Sequence, residues 1–123
     1  MAAKGVGFVG MRTDRLAETI DLFENVLGLP LTRHTGDFAV FTLPDGALVE
    51  LFGPQTRLHS VFTTGPVVGF RVDDFDATNQ ALVDAAVAFV SEVQHADGVS
   101  WRHFRCPDGT IVEITGPGKA PEA

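Results

Sequence analysis

Leu43-Pro44-Asp45-Gly46-Ala47-Leu48-Val49-Glu50-Leu51-Phe52-Gly53-Pro54 returns further along the chain as Cys106-Pro107-Asp108-Gly109-Thr110-Ile111-Val112-Glu113-Ile114-Thr115-Gly116-Pro117. Seven of the twelve positions are identical, and Glu113 follows Glu50 at the same spacing of 63 residues as Pro107 follows Pro44. An internal repeat fixes architecture before any single residue does. It also puts the two glutamates in equivalent places, so that chemistry built on one is expected to involve the other.

Each copy closes a longer module. In the first, Gly5 to Arg12 reads as a strand and Thr13-Asp14 as a helix start. Leu16, Ile20, Phe23 and Leu27 then recur at the helical period, with Gly28 as the stop. Strands are expected at Leu31 to His34, Phe38 to Leu43 and Ala47 to Phe52, the last two joined by the Pro-Asp-Gly turn. The second module repeats the order: strand Val67 to Val72, helix from about Asp74 to Ala86 with a stripe of Phe75, Leu82, Ala85 and Ala86, then strands Val87 to Glu92, Ser100 to Arg105 and Thr110 to Thr115. The expected fold class is α+β, two tandem βαβββ modules. The boundaries are about 5–53, a surface linker 54–65, the second module 66–116 and a frayed tail 117–123, all within one domain.

With 123 residues, 45% of them hydrophobic, the chain can bury a core. The net charge of −7 and the absence of any Lys or Arg run argue against nucleic acid and anionic membranes as partners. No stretch approaches the roughly 20 apolar residues of a membrane span, and no apolar signal core precedes the first strand. A cytoplasmic protein is expected, and the single cysteine, Cys106, fits a reducing compartment.

The paired modules, the helix end Asn25-Val26-Leu27-Gly28-Leu29, the opening Phe70-Arg71-Val72-Asp73-Asp74-Phe75 and the closing Pro-Asp-Gly-x-x-Val-Glu together resemble the vicinal oxygen chelate superfamily over about residues 5 to 117. That group holds glyoxalase I, bleomycin-resistance proteins, fosfomycin-resistance enzymes and extradiol dioxygenases. The resemblance implies a U-shaped mixed sheet with helices on the convex side and a ligand cavity on the concave one, a small-molecule ligand or substrate, a homodimer and, in metal-using members, four cavity side chains. Two of these positions fall on the carboxylates Glu50 and Glu113; the other two, usually His, fall on Phe8 and Val67, which coordinate nothing. Metal is therefore disfavoured, because a divalent ion takes four to six N, O or S donors.

Strand alternation completes the candidate cavity. Ile111 and Thr115 share a face with Glu113, and resemblance to the fosfomycin-resistance enzymes adds His103, with Trp101 and Arg105 alternating onto the same face. In the first module Phe38, Val40 and Thr42 accompany Leu48, Glu50 and Phe52, and the opening strands add Phe8, Gly10, Arg12, Val67, Gly69 and Arg71. His34, His59 and His95 read as solvated, and Cys106 as a small half-buried thiol. Bulky Phe8, Phe38, Phe52 and Trp101 serve equally well as core, and Arg71 and Arg105 equally well as anion binders or as counterions of the glutamates. Two functions stay open. One is a metal-free binding protein of the bleomycin-resistance kind for an aromatic or cationic small molecule. The other is a lyase, isomerase or dioxygenase of the same superfamily, with Glu113 or Glu50 as base or residual metal ligand and His103 as its partner.

Overall fold

A computed structural model describes residues 2–63 and 65–121. In chain order its elements are β1 (Ala3–Arg12), α1 (Leu16–Asp21), β2 (Leu31–Thr35), β3 (Phe38–Thr42), β4 (Leu48–Phe52), β5 (Val67–Val72), α2 (Phe75–Asp84), β6 (Ala88–Phe89), β7 (Gln94–Ala96), β8 (Val99–Arg105) and β9 (Ile111–Pro117). Strands pair both parallel and antiparallel, so the class is α+β with mixed pairing. Two compact units emerge, one from Phe8 to Val67 and one that runs up to Gly7 and resumes at Val68. No described helix is long and apolar enough to cross a membrane.

In the first unit the outer segment of β1 lies parallel to β4, β4 antiparallel to β3, and β3 antiparallel to β2. Period-2 alternation sends Ala39, Phe41, Val49 and Leu51 to one side, where they form a core with Ile20 of α1 and with Leu16, Phe23, Leu29 and Leu31. Leu27 does not join them and is 60% exposed. Over Leu22–Val26 the helix widens to a π turn, with Leu27 N–H donating to the Leu22 carbonyl at 3.0 Å. One extra residue per turn rotates the succeeding residues by about 100°, which carries Leu27 off the apolar face and lets Leu29 and Leu31 take its place. Gly28 ends the segment at φ +72°, the left-handed stop expected of it.

In the second unit β5 lies parallel to β9, β9 antiparallel to β8, and β6 and β7 both pair with β8. Val72, Phe75 and Ile114 form its core with Leu82, Val93 and Phe104, covered by α2. Asp74 caps α2 by accepting from Ala77 N–H at 3.1 Å. The helix stops at Asp84, two residues early, because Ala86 sits at φ +59° and closes it by donating to the Val83 carbonyl, while Val87 donates to that of Leu82. Ala85 and Ala86 are accordingly exposed rather than on the apolar stripe.

Of the strand expected at Val87 to Glu92 only β6, Ala88–Phe89, forms, and β7, Gln94–Ala96, lies beyond the expected span. β7 and β8 form a hairpin through Asp97-Gly98, both at left-handed φ (52° and 80°), the dipeptide that such a two-residue turn demands. The tail is not frayed from 117. β9 runs to Pro117, Gly118 N–H donates to the Gly98 carbonyl, and Lys119 is held at both ends, its N–H by Asp76 and its carbonyl by Ser100 Oγ.

The repeated sentence is repeated in its hydrogen bonds. In the first turn Leu43 N–H donates to the Ala47 carbonyl (2.8 Å), Gly46 to that of Leu43 (2.8 Å) and Ala47 to Asp45 Oδ1 (3.0 Å). In the second, Cys106 donates to Thr110 (2.8 Å), Gly109 to Cys106 (2.8 Å) and Thr110 to Asp108 Oδ1 (3.0 Å). The aspartates bond their own backbone two residues on, and Gly46 and Gly109 supply φ of +86° and +92°.

Candidate functional site

The predicted cavity residues fall on one face of each sheet, the face away from the helix, and the two faces differ in chemistry. In the first unit Phe8, Gly10 and Arg12 stand in register with Leu48, Glu50 and Phe52, which stand in register with Thr42, Val40 and Phe38. Phe38 stacks on Phe52 at 5.3 Å between centroids. The segment expected as a surface linker folds onto this face. Phe62 is 1% exposed and meets Phe8 at 6.0 Å and Phe52 at 5.7 Å, and His59 stacks on Phe62 at 4.8 Å. His59 is thus half-buried among rings, not solvated. Gly10 permits the arrangement: a Cβ there would lie 2.4 Å from Phe8 Cζ and 2.8 Å from Phe62 Cε2.

Arg12 holds this loop. Its Nε–H donates to the Phe62 carbonyl (3.0 Å), Nη1 to those of Gly53 (2.9 Å) and Thr56 (2.8 Å), and Nη2 to those of Leu58 (2.9 Å) and His59 (3.0 Å). All five guanidinium donors are used. Asp37 fastens the near end, its side chain accepting from Gln55 and Thr56 and its carbonyl from Gly53 N–H and Thr56 Oγ1. Arg12 therefore organises the chain itself, and nothing of its donor set remains for a ligand.

In the second unit Gly69, Glu113 and His103 form one cross-strand row over β5, β9 and β8, and Arg71, Thr115 and Trp101 the next. Glu113 and His103 are 3% and 1% exposed, and His103 Nε2 lies 2.9 Å from Glu113 Oε1. Burial pushes the Glu113 carboxyl up from 4.5 to about 8 and the His103 imidazole down from 6.5 to about 4. Burial thus favours the uncharged form of each group, the carboxylic acid and the neutral imidazole. Ser91, absent from the sequence expectations, sits on the far side of the ring, its Oγ 3.2 Å from Nδ1 and 2.9 Å from the His103 backbone nitrogen. Trp101 carries a buried indole N–H with no hydrogen-bond partner among the described residues. Arg105 donates to the Gly109 carbonyl, bracing the turn. The Arg71 side chain lies over β1, whose Gly5 and Gly7 leave room for it: a Cβ at either would sit 3.0 Å from Nη2 or 3.3 Å from Cβ of Arg71. Val67 is buried at 2% and Cys106 half-buried; His95, expected in solvent, is half-buried and bonded to Ser100 at 2.8 Å.

Among the described residues Glu50 has Gly10 and Val40 as its cross-strand neighbours, and Glu113 has Gly69 and His103. No group of three or more His, Cys, Asp or Glu stands together among the described residues.

The family model described as Glyoxalase/Bleomycin resistance protein/Dioxygenase superfamily matches residues 5–114, and the chain belongs to that superfamily. Solved structures agree on the fold. Methylmalonyl-CoA epimerase from Mycobacterium tuberculosis is 23% identical over 97% of this chain and 90% of its own, with a TM-score of 0.71. A superfamily member from Vibrio splendidus 12B01 is 20% identical over 94% and 99%, at 0.67. The Mn(II)-bound glyoxalase from Novosphingobium aromaticivorans is 18% identical over 98% of this chain and 42% of its own, at 0.72. Metal is thus found within the superfamily. No protein of curated function matches the sequence.

Proposed function

We propose that the chain binds a small aromatic organic molecule on the second unit's sheet face, around Trp101, Thr115, His103 and Glu113, without a resident metal ion. The observation that carries this reading is the Trp101 indole N–H, buried yet unpartnered among the described residues. A buried donor left without an acceptor costs roughly 1–3 kcal/mol, which a ligand oxygen recovers. The indole also supplies a flat apolar surface for an aromatic ring. A homodimer and a cytoplasmic setting belong to the same reading, supported by the superfamily resemblance and by composition.

Trp101 is the only tryptophan, so its fluorescence reports the site directly. Titration with acetophenone is expected to quench it saturably and equally with or without EDTA, and Trp101→Phe to weaken binding on the order of tenfold by calorimetry. Loss of binding on adding EDTA would reject the metal-free reading. Unchanged affinity in Trp101→Phe would reject the indole as the contact.

A second reading, an isomerase or lyase of oxygenated molecules, is supported by Glu113. A carboxyl held near pKa 8 beside a neutral imidazole is tuned for proton transfer at neutral pH. In a screen of α-keto and catechol compounds, any turnover found is expected to fall at least about 100-fold in Glu113→Gln with the fold intact by circular dichroism. Turnover retained in that variant would dismiss Glu113 as the acid or base.

A further inference from the structure

Ser91 Oγ faces two groups of His103, the backbone nitrogen at 2.9 Å and ring Nδ1 at 3.2 Å. The backbone N–H can only donate, so it occupies one lone pair of the hydroxyl oxygen. The hydroxyl has a single proton to give. Among the described residues the acceptor within its reach is Nδ1. Donation there makes Nδ1 an acceptor and leaves the ring proton on Nε2, which is 2.9 Å from Glu113 Oε1 and donates to it.

We infer that Ser91 is a positioning residue that locks His103 in the Nε2–H tautomer, so that Glu113 accepts at Oε1 and turns a protonated Oε2 toward a ligand that accepts hydrogen bonds. The imidazole then carries no charge, Arg105 is bonded to the Gly109 carbonyl, and the Arg71 guanidinium lies over Gly5. A carboxyl at 3% exposure with no Lys or Arg bonded to it among the described residues keeps its proton. With Oε1 taken by Nε2–H, that proton resides on Oε2. The face therefore offers two donors, Glu113 Oε2–H and Trp101 Nε1–H, which suit a ketone, quinone or nitro oxygen and repel an ammonium group. Of the aromatic or cationic ligands expected from the sequence, the cationic kind is disfavoured.

Ser91 is itself held from behind. Its carbonyl accepts from Arg102 Nε at 3.0 Å, and Arg102 lies over the Phe89 ring at 3.5 Å while Nη1 reaches Asn79 of α2 at 3.1 Å. The ligand half of the inference rests on the proposed binding face; the tautomer half does not.

Imidazole ¹⁵N spectra of the full chain test the tautomer. Wild type is expected to show His103 protonated at Nε2 alone at pH 7, Ser91→Ala to shift population toward the Nδ1–H form, and Ser91→Thr to restore the wild-type pattern. An Nδ1–H or imidazolium ring in wild type, or a wild-type pattern in Ser91→Ala, overturns the assignment. If Ser91→Ala does not fold, the wild-type and Ser91→Thr spectra still decide. Acetophenone and the matched cation 1-phenylethylammonium, followed by Trp101 quenching, test the ligand class. Acetophenone is expected to bind at least about tenfold tighter in wild type, with the preference reduced in Ser91→Ala. A preference for the cation overturns the acceptor class. The expected tautomer with no binding of either probe upholds the role of Ser91 and removes the proposed binding function.

Discussion

Replacing Arg12 with alanine is expected to lower the unfolding free energy by about 3–5 kcal/mol, read from the urea midpoint at constant m-value. Five main-chain carbonyls between Gly53 and Phe62 lose their donor at once. A hydrogen bond to a charged group contributes about 1.5–3 kcal/mol when isolated. These five share one side chain and the released carbonyls regain water, so the sum is far below five times that figure. Arg12→Lys keeps the charge but has at most three donors, none in a planar fork, and is expected to fall between the two. Hydrogen exchange separates this mechanism from a general loss of packing. Protection should fall first at Phe62 N–H, which donates to the His59 carbonyl inside the loop, before the strand amides of β3 and β4. An Arg12→Ala midpoint within 1 kcal/mol of wild type would show that the aromatic contacts of Phe62 hold the loop unaided.

Arg12 marks the limit of what alternation can read from a sequence. Period 2 correctly places it on the face of Phe8, Glu50 and Phe52, and the same rule recovers both sheet faces, the two cores and the turn chemistry of the repeat. What a face meets is a tertiary fact. A Gly, Pro, Gln and Thr composition reads as linker, yet the 53–62 segment carries His59 and Phe62 into contact with the very rings alternation had exposed. Phe62 was a legible signal, a large aromatic residue beside Leu58 and Val61 in a stretch otherwise made of Gly, Pro and polar residues. The phase slip that expels Leu27 had none, because a π turn leaves the helical period intact on either side of itself. Asp97-Gly98 was legible as a turn, since it stands between the strands expected at Val87 to Glu92 and Ser100 to Arg105. Ser91 had no local signature; its role exists only through the His103 ring brought beside it.

The repeat also promised that the two glutamates act as equivalents, and their neighbours break the equivalence. His103 is opposite Glu113, and the position 63 residues earlier, opposite Glu50, is Val40. The second module thus retains an acid bonded to an imidazole, while the face that carries Glu50 in the first also carries the packed rings of Phe8, Phe38, Phe52 and Phe62. Duplication conserved the backbone turn and the carboxylate and let the facing strand diverge. The chemistry on each face follows that facing strand.

Stability is expected to be level between about pH 4.5 and 6.5 from this pair, then to fall by about 2 kcal/mol between pH 6.5 and 8. Glu113 is raised from 4.5 to about 8, so between those values the folded state holds a proton the unfolded chain has lost. Its contribution is complete below pH 4.5 and is lost as pH rises through 8. His103 is lowered from 6.5 to about 4, so in that window the unfolded chain binds the extra proton and stability is lost as pH falls. Where the windows overlap the two slopes oppose each other and cancel. Above 6.5 only Glu113 still differs between the states, at 1.36 kcal/mol per pH unit. Glu113→Gln removes one slope and exposes the other: the variant is expected to lose its decline above pH 6.5 and to gain one as pH falls from 6.5 toward 4. The comparison of wild type with variant by urea unfolding across pH 4.5 to 8.5 cancels the remaining carboxylates and histidines, which titrate alike in both. Wild-type stability that holds or rises from pH 6.5 to 8 would mean that Glu113 is ionised in the folded protein. The hydrogen on Oε2, and with it the preference for an accepting ligand, would then be lost.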